Sequence, residues 1–295
     1  MKTLIMLIRR NMLVYSRDKA TVFFSMLAMI IVISLNVIFL GKNNVDTLMA
    51  FGNINSQMAN EFIIVWIIAG IIAINCVTSS LAVMNIMVED EDKKRMPVFL
   101  VSSVSRFKLS LAYILTAFLV SFGISIATFC GLQIYLFIIG EQLFTIIQIA
   151  KIIGIIFLNS FSSSTFIFFI VSFIHTAPAY SGVNTLISTL IGFITGMYVQ
   201  MGELPIIIQK ILKFVPAVHG VSLIREAFLE NVIKSVFLGA PNDVVEKYSD
   251  YMGITLSYNG NIIDDVYKVI ILLITGIVFM ILSAIVIKNK EARDR

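Results

Sequence analysis

Charge is scarce in this 295-residue chain, and one long stretch has none at all. Only 14% of the residues are Asp, Glu, Lys or Arg, and the 51 residues from Ile152 to Gly202 include none of the four. A bilayer core of roughly 30 Å takes about 20 helical residues to cross, so this stretch has room for two spans. With 58% hydrophobic residues and a mean hydropathy of +0.95, the composition excludes a water-soluble globular domain and indicates a polytopic membrane protein.

The sequence also has few of the residues and motifs that are typical of enzymes. Cys76 and Cys130 fall in apolar runs without the spacing of a metal site or a disulfide framework. No G-x-x-x-x-G-K-[ST] motif occurs, so the chain does not cradle nucleotide phosphates itself. We therefore predict a membrane subunit that is not an enzyme, with no catalytic residue, no metal and no cofactor of its own.

The charge-free stretches predict an all-α polytopic membrane protein with six transmembrane helices. These are about 21–40, 62–88, 109–139, 152–174, 180–201 and 269–287. Residues 1–20 are predicted to form an interfacial helix, which carries on one side Leu4, Ile8, Met12 and Tyr15. We interpret residues 1–295 as a single transmembrane domain.

The distribution of Lys and Arg predicts the orientation of the helices. Basic residues cluster before the first span, between the second and third, and after the sixth. The opposite side has only Lys42 between the first two spans and no basic residue at 140–147. We expect a multi-pass protein of the cytoplasmic (inner) membrane with both termini cytoplasmic, and no nucleic-acid partner despite the net charge of +4.

The cytoplasmic segment 89–106 combines charges of both signs with an apolar run. Residues 89–95 read EDEDKKR, and residues 97–101 read PVFLV. A charged run by itself is usually a solvated face, but a small apolar surface beside it favours contact with lipid or a partner protein. A short helix along the membrane that docks on a cytosolic protein would use both parts.

The segment 203–266 is predicted to lie on the extracytoplasmic side. Its first part is too apolar for a plain loop, yet each apolar piece is too short to cross the membrane. This pattern predicts re-entrant or interfacial helices between spans five and six. From residue 231 onward the composition becomes polar, which is typical of an exposed loop.

The order of these features resembles the membrane subunits of ABC-2 type transporters, the six-span permeases of ABC exporters. The resemblance covers nearly the whole chain. It rests on the N-terminal interfacial helix, on the charged segment that ends in Val104-Ser105-Arg106, and on the outer region with Leu204-Pro205, Pro216 and Leu223-Ile224-Arg225. One departure is that the family commonly has a glycine between the acidic and apolar parts of the charged segment, where residues 92–95 here are all charged.

The resemblance implies roles for particular residues and partners. The coupling helix that touches the ATPase would include Glu89, Asp90, Lys93, Lys94, Arg95, Val104, Ser105 and Arg106. The extracellular gate region would include Pro205, Pro216, His219 and Arg225. The implied partners are two copies of an ABC ATP-binding subunit, which hold ATP and Mg, and a second permease subunit that is identical or related.

Polar residues within the spans are candidates for lining a translocation path. We single out Asn75, Asn159, Ser163 and Asn184. Hydrogen bonding between helices is the competing interpretation, because such bonds recur widely in membrane proteins. The aromatic-rich fourth span suits a hydrophobic drug, an antimicrobial peptide or a lipid-like substrate, although the same side chains also suit contact with lipid.

Three other functional classes remain open at this level. An ion-coupled secondary transporter usually has charged residues inside its spans, and the predicted spans have none in their central parts. An intramembrane enzyme is disfavoured because His175 and His219 are predicted on opposite sides of the membrane and no H-E-x-x-H or G-x-S-x-G motif occurs. A sensing or immunity subunit without transport is compatible with the sequence.

Overall fold

The computed structural model describes residues 2–20, 55–95, 104–140, 143–258 and 261–293, together with Phe23, Val45, Leu48, Met49 and Phe99. Within this part of the chain the fold is all-α apart from one short hairpin, which confirms the predicted all-α class. The interfacial position of residues 1–20 and the re-entrant helices stay predictions. The helices are α1 (Lys2–Arg17), α2 (Ser56–Asp92), α3 (Arg106–Ile139), α4 (Ile146–Val171), α5 (Ala177–Ile194), α6 (Ile206–Leu212), α7 (Pro216–Val236), α8 (Asn242–Tyr251) and α9 (Asp265–Arg293). A 3₁₀ turn at Met201–Glu203 precedes α6, and β1 (Ser257–Tyr258) pairs antiparallel with β2 (Asn261–Ile262).

Four of the described helices, α2, α3, α4 and α9, are long and apolar enough to cross a membrane. A fifth span results if α6 and α7, which are bent by 90° at their junction, are counted together. The predicted first span, 21–40, lies outside the described residues apart from Phe23. The six-span count therefore stays a prediction.

The predicted span 180–201 differs from the helix observed there. Helix α5 runs from Ala177 to Ile194, and the chain then turns at Gly196, which has a φ of 68°. The backbone N–H groups of Met197 and Tyr198 both donate to the carbonyl of Gly192. These hydrogen bonds satisfy a carbonyl group in the last turn of α5. The helix therefore ends here, and the following residues are not part of it.

Helix α2 forms the centre of the bundle. In its most apolar stretch 78% of the residues are buried, against 17% in α9, so α9 lies at the periphery with its apolar face outward. Two hydrophobic cores surround α2. One, which includes Trp66, lies at the end of the bundle that carries the β-hairpin, called the hairpin end; the other, which includes Met84, lies at the end that carries α1, called the α1 end.

Between the two cores, small polar side chains join α2 to α3 and α4. Cys76 Sγ lies 3.4 Å from Ser125 Oγ and 3.3 Å from Ser160 Oγ, and Ser80 Oγ lies 3.0 Å from Ser164 Oγ. We call these five residues the serine seam. Small residues of this kind allow close approach of helices where burial from lipid gives no hydrophobic gain.

Helix α7 approaches α4 closely at a glycine. A Cβ atom placed on Gly220 would overlap the side-chain amide of Asn159, whose Oδ1 is buried without a hydrogen-bond partner. Pro216 occupies the first turn of α7, where its missing N–H costs no helical hydrogen bond. The contact between Gly220 and Asn159 therefore holds α7 against α4 just after the bend between α6 and α7.

We predict that Gly220→Ala lowers the free energy of unfolding by about 1–3 kcal/mol, because the added methyl forces Asn159 to move in a packed interface. Gly154→Ala, on α4, is the matched control, since no atom lies within 4 Å of a Cβ at that position. Chemical unfolding of the purified protein in detergent measures both. Equal stability of the two variants would contradict the close packing of α7 on α4.

Candidate functional site

The carboxylate of Asp90 joins three helices at the α1 end. Arg10 of α1 donates from Nη1 to Oδ2 at 2.5 Å and from Nη2 to Oδ1 at 2.8 Å, and the Tyr113 hydroxyl of α3 donates to Oδ2 at 2.7 Å. The Asp90 side chain is 1% exposed and that of Arg10 is 29% exposed. Two parallel hydrogen bonds between a guanidinium and a carboxylate are strong and fix orientation. We call these three residues the Asp90 junction.

The Asp90 junction explains which side of α1 is buried. Of the predicted apolar side, Tyr15 is buried but Met12 is 40% exposed, and Leu7 and Asn11 are buried as well. Asn11 is fully buried, and its Oδ1 accepts a hydrogen bond of 3.0 Å from Arg10 Nη1. Hydrogen bonding to the Asp90 carboxylate raises the pKa of Arg10.

The end of α2 contains most of the predicted coupling residues. Lys94 has a φ of 54°, its N–H donates to the Glu91 carbonyl at 3.0 Å, and the Arg95 N–H donates to the Asp90 carbonyl at 2.8 Å. This is the hydrogen-bond pattern of a Schellman motif, in which glycine usually takes the left-handed position. A lysine occupies that position in this chain.

The other charges at this end pair locally. Lys93 Nζ lies 2.5 Å from a carboxylate oxygen of Glu89, and both side chains are exposed to solvent. Arg95 Nη1 lies 3.4 Å from Asp90 Oδ1. Glu91, near them, lies 2.5 Å from His175 in the turn between α4 and α5.

The second half of the predicted coupling segment is described only in part. Residues 96–98 and 100–103 lie outside the described residues, and the guanidinium of Arg10 lies 5.3 Å from the ring centroid of Phe99. Ser105 is the N-cap of α3 and accepts from the Lys108 N–H at 3.4 Å, with Val104 before it and Arg106 as the first helical residue. The structure thus places the described coupling residues at the α1 end, and their role stays a prediction.

At the hairpin end, Arg225 of α7 is buried without a carboxylate partner among the described residues. Its Nη1 donates to the carbonyls of Met252 at 3.3 Å and Gly253 at 3.2 Å, and its guanidinium lies 4.2 Å from the centroid of the Trp66 ring. The Trp66 indole N–H also donates to the Met252 carbonyl, at 3.0 Å. Gly253 turns the chain there with a φ of 63°. Arg225 therefore ties α7 to α2 and to the segment after α8.

Three other predicted gate residues flank the bend between α6 and α7. His219 is 3% exposed, and its Nε2 lies 2.8 Å from the Lys213 carbonyl oxygen. Pro216 begins α7, and Pro205 is the N-cap of α6. The structure gathers these residues at the hairpin end, and their role in a gate stays a prediction.

A buried ion pair at this end was not predicted from the sequence. Lys268 of α9 is fully buried, and its Nζ lies 2.6 Å from each carboxylate oxygen of Glu226 on α7 and 3.4 Å from Asp265. The last predicted span, 269–287, begins directly after Lys268, and the partner Glu226 lies 42 residues away in the chain. No local pattern links the two residues.

The candidate path residues have different surroundings. Asn75 Nδ2 donates to Thr128 Oγ1 at 3.0 Å, which favours the interpretation of a bond between helices. Asn159 packs against Gly220, and Ser163 is 6% exposed. Asn184, on α5, is half-buried. Lining of a path by these four residues stays a prediction.

The fold and its charge distribution define a multi-pass helical membrane protein. Residues 42–285 match the family model described as ABC-2 family transporter protein, and the chain belongs to that family. The match confirms the resemblance inferred from the sequence. The family consists of membrane components of ABC transporters, which work with an ABC ATP-binding subunit. No curated protein matches the chain.

We predict that Asp90→Asn lowers the free energy of unfolding by about 2 kcal/mol and Tyr113→Phe by about 1 kcal/mol, because each removes hydrogen bonds to a buried charge. Lys93→Gln, which breaks only an exposed pair on the same helix end, is expected to cost less than about 0.5 kcal/mol. Unfolding titrations in detergent distinguish these values. An Asp90→Asn cost as small as that of Lys93→Gln would show that the junction does not stabilise the fold.

A glycine at the left-handed position should stabilise the end of α2. We expect Lys94→Gly to raise the free energy of unfolding by about 1 kcal/mol, since a positive φ is unfavourable for a residue with a Cβ. Lys93→Gly is the control: Lys93 has a φ of −80°, so glycine there is expected to destabilise by roughly 0.5–1 kcal/mol. Equal effects at both positions would argue against the Schellman motif.

Proposed function

We propose that this chain is the permease subunit of an ATP-driven ABC exporter. Its substrate would be a hydrophobic drug, an antimicrobial peptide or a lipid-like molecule, which it carries through a path between its helices. The observation that supports this most is the family match over residues 42–285 together with the anchoring of the end of α2 by Asp90. A charged segment held in this way is suited to receive force from a partner.

In the proposed mechanism, energy enters through residues 89–106. Two ATP-binding subunits, which hold ATP and Mg, close on nucleotide and displace the coupling segments docked on them. Because Arg10 and Tyr113 bind the same carboxylate of Asp90, a displacement of the end of α2 moves α1 and the start of α3 with it. The bundle thereby shifts between two states of the path.

The proposed assembly contains a second permease subunit, identical or related, because one small bundle does not enclose a path for a large substrate. Residues 1–295 act as one domain of the cytoplasmic (inner) membrane, with both termini and the α1 end cytoplasmic. The hairpin end, with Arg225, His219 and the bent pair α6–α7, then forms the extracellular gate region. The alternation of basic segments supports this orientation.

Aromatic contacts between α3 and α4 support an apolar substrate. The rings of Phe118 and Phe157 are 4.9 Å apart, those of Phe122 and Phe157 are 5.8 Å apart, and Phe157 is 51% exposed. Such a surface suits a hydrophobic or lipid-like molecule that enters from the membrane.

Ion-coupled transport is the second candidate, and the buried pair of Lys268 and Glu226 is the observation that favours it. Ionisable residues within membrane helices are often part of ion or proton pathways. The pair lies in the first turn of α9, however, rather than near the middle of the span. ATP-dependent substrate movement in vesicles that contain the partner ATPase separates the exporter from this candidate and from a sensing subunit, since neither alternative gives such flux.

We predict that reversing the charges of Lys93, Lys94 and Arg95 uncouples ATP hydrolysis from transport while the protein still inserts. The reason is that these residues would face the ATPase, whose docking surface must complement their charge. The measurement is ATP-driven flux and copurification of a co-expressed ABC ATP-binding subunit. Unchanged coupling would count against the assignment.

Lys94→Glu alone gives a sharper version of this experiment. Lys93 and Arg95 pair with Glu89 and Asp90, so the triple variant also disturbs local ion pairs, whereas Lys94→Glu leaves both pairs intact. Lys247→Glu, an equal charge change on α8 at the hairpin end, is the control and should retain the partner. Loss of the partner in both variants would indicate a general effect of charge.

A further inference from the structure

Four large apolar side chains on α1 face away from the helix bundle. Ile5 and Met6 are each 62% exposed, and Met12 and Leu13 are exposed as well. Residues seven apart lie almost above one another on a helix, so Ile5 and Met12 form one row and Met6 and Leu13 form a second. Water does not favour such a surface, and an exposed apolar patch marks a contact with lipid or with another protein.

Basic residues lie between and beside these two apolar rows. Lys2 and Arg9, which are seven residues apart, are exposed between the rows, and Arg17 is exposed one turn beyond Leu13. None of the three basic side chains forms an ion pair with another described residue. We call this side of α1 the outward face, and it consists of Lys2, Ile5, Met6, Arg9, Met12, Leu13 and Arg17.

The outward face carries no carboxylate. Asp18 is the one acidic residue at positions 2–20, and its position is half a helical turn around from that of Arg9. With Tyr15 it lines a cavity between α1 and α2. Positive charge on the outward face is therefore not compensated by a carboxylate of the same helix.

Two adjacent arginines contact different sides of α1. Successive residues lie 100° apart around a helix, and Arg10 turns inward to the carboxylate of Asp90, whereas Arg9 stays exposed. The two parallel hydrogen bonds between Arg10 and Asp90 fix the rotation of α1 about its axis. They therefore also fix the direction in which the outward face points.

We propose that the outward face of α1 binds anionic phospholipids. The apolar rows insert among the acyl chains just below the headgroups, and Lys2, Arg9 and Arg17 reach the phosphate groups with their long side chains. Each Lys or Arg near an anionic membrane surface strengthens binding by roughly fivefold, so these three residues select anionic over zwitterionic headgroups. The cytoplasmic leaflet as the location of this lipid rests on the proposed function, whereas the binding itself does not.

The experiment uses the purified full-length chain in detergent and counts bound lipids by native mass spectrometry. Phosphatidylglycerol is the anionic probe, and phosphatidylcholine with the same acyl chains is the zwitterionic one. Phosphatidylglycerol should bind more tightly, and Arg9→Gln should weaken its binding about fivefold without changing that of phosphatidylcholine. Lys247→Gln removes an equal charge from an exposed side chain of α8 and should leave both affinities within about twofold.

A matched pair of triple variants tests the location of the site. Lys2→Gln/Arg9→Gln/Arg17→Gln should abolish the preference for phosphatidylglycerol, because the outward face then has no charge. The control neutralises three exposed lysines at the hairpin end and should retain the preference, with the changes Lys210→Gln/Lys234→Gln/Lys247→Gln. Size-exclusion profiles equal to that of the unmodified protein establish folding in both variants.

The apolar rows have a separate test. Ile5→Gln/Met6→Gln keeps every charge of the outward face but removes apolar surface, so it should weaken the binding of both lipids alike. Unchanged binding of both lipids in this variant would contradict insertion of the apolar rows.

Other outcomes are also decisive. Equal affinity of the unmodified protein for both lipids, or equal losses of phosphatidylglycerol in the two triple variants, would overturn the proposal. Loss of a copurifying ABC ATP-binding subunit in Arg9→Gln with unchanged lipid affinity would also overturn it and assign the outward face to a protein partner. Arg9-dependent binding of phosphatidylglycerol without ATP-driven flux in vesicles that contain the partner ATPase would support the lipid site and contradict the exporter.

Discussion

The bilayer core solvates neither ions nor unpaired backbone groups, and this constraint determines where the tertiary structure of the protein is strongest. At the α1 end, the buried carboxylate of Asp90 receives hydrogen bonds from Arg10 and Tyr113. At the hairpin end, Lys268 lies between two oxygens of Glu226. Each charge that leaves water thus joins helices that are distant in sequence, and the bundle is tied at both ends.

The middle of the bundle is held differently. The serine seam joins α2 to α3 and α4 through neutral side chains at 3.0–3.4 Å, and bonds of this kind contribute only about 0.6 kcal/mol each on average. Small side chains also leave the helix surfaces smooth. Strong junctions at the ends and weak ones between them are suited to a bundle in which groups of helices shift as units, as the proposed exporter mechanism requires.

Sequence patterns predicted the all-α fold, the membrane location and the cluster of charges at the end of α2. Helices that cross lipid need long charge-free runs, and such runs can be recognised in the sequence without knowing which residues contact one another. They did not predict the junctions. Arg10 lies 80 residues from Asp90, and neither spacing nor periodicity relates them. Every residue of the run 89–95 is charged, yet Asp90 is buried whereas the side chains of Glu89 and Lys93 are exposed. Only the packing of α1 and α3 against α2 distinguishes Asp90 from its neighbours.

The family commonly has a glycine in the region where residues 92–95 of this chain are all charged, and this difference has a structural consequence. Lys94 takes the left-handed conformation that glycine would adopt more easily, and the Arg95 N–H returns to the carbonyl of Asp90. The same residue thus accepts the last backbone bond of the helix and holds α1 through its side chain. The direction in which the chain leaves α2 and the position of α1 therefore depend on one residue. In the proposed exporter, α1 belongs to the unit that the ATPase moves. A displacement of the first residues of the coupling segment moves Asp90, and the hydrogen bonds between Asp90 and Arg10 transmit that displacement to α1.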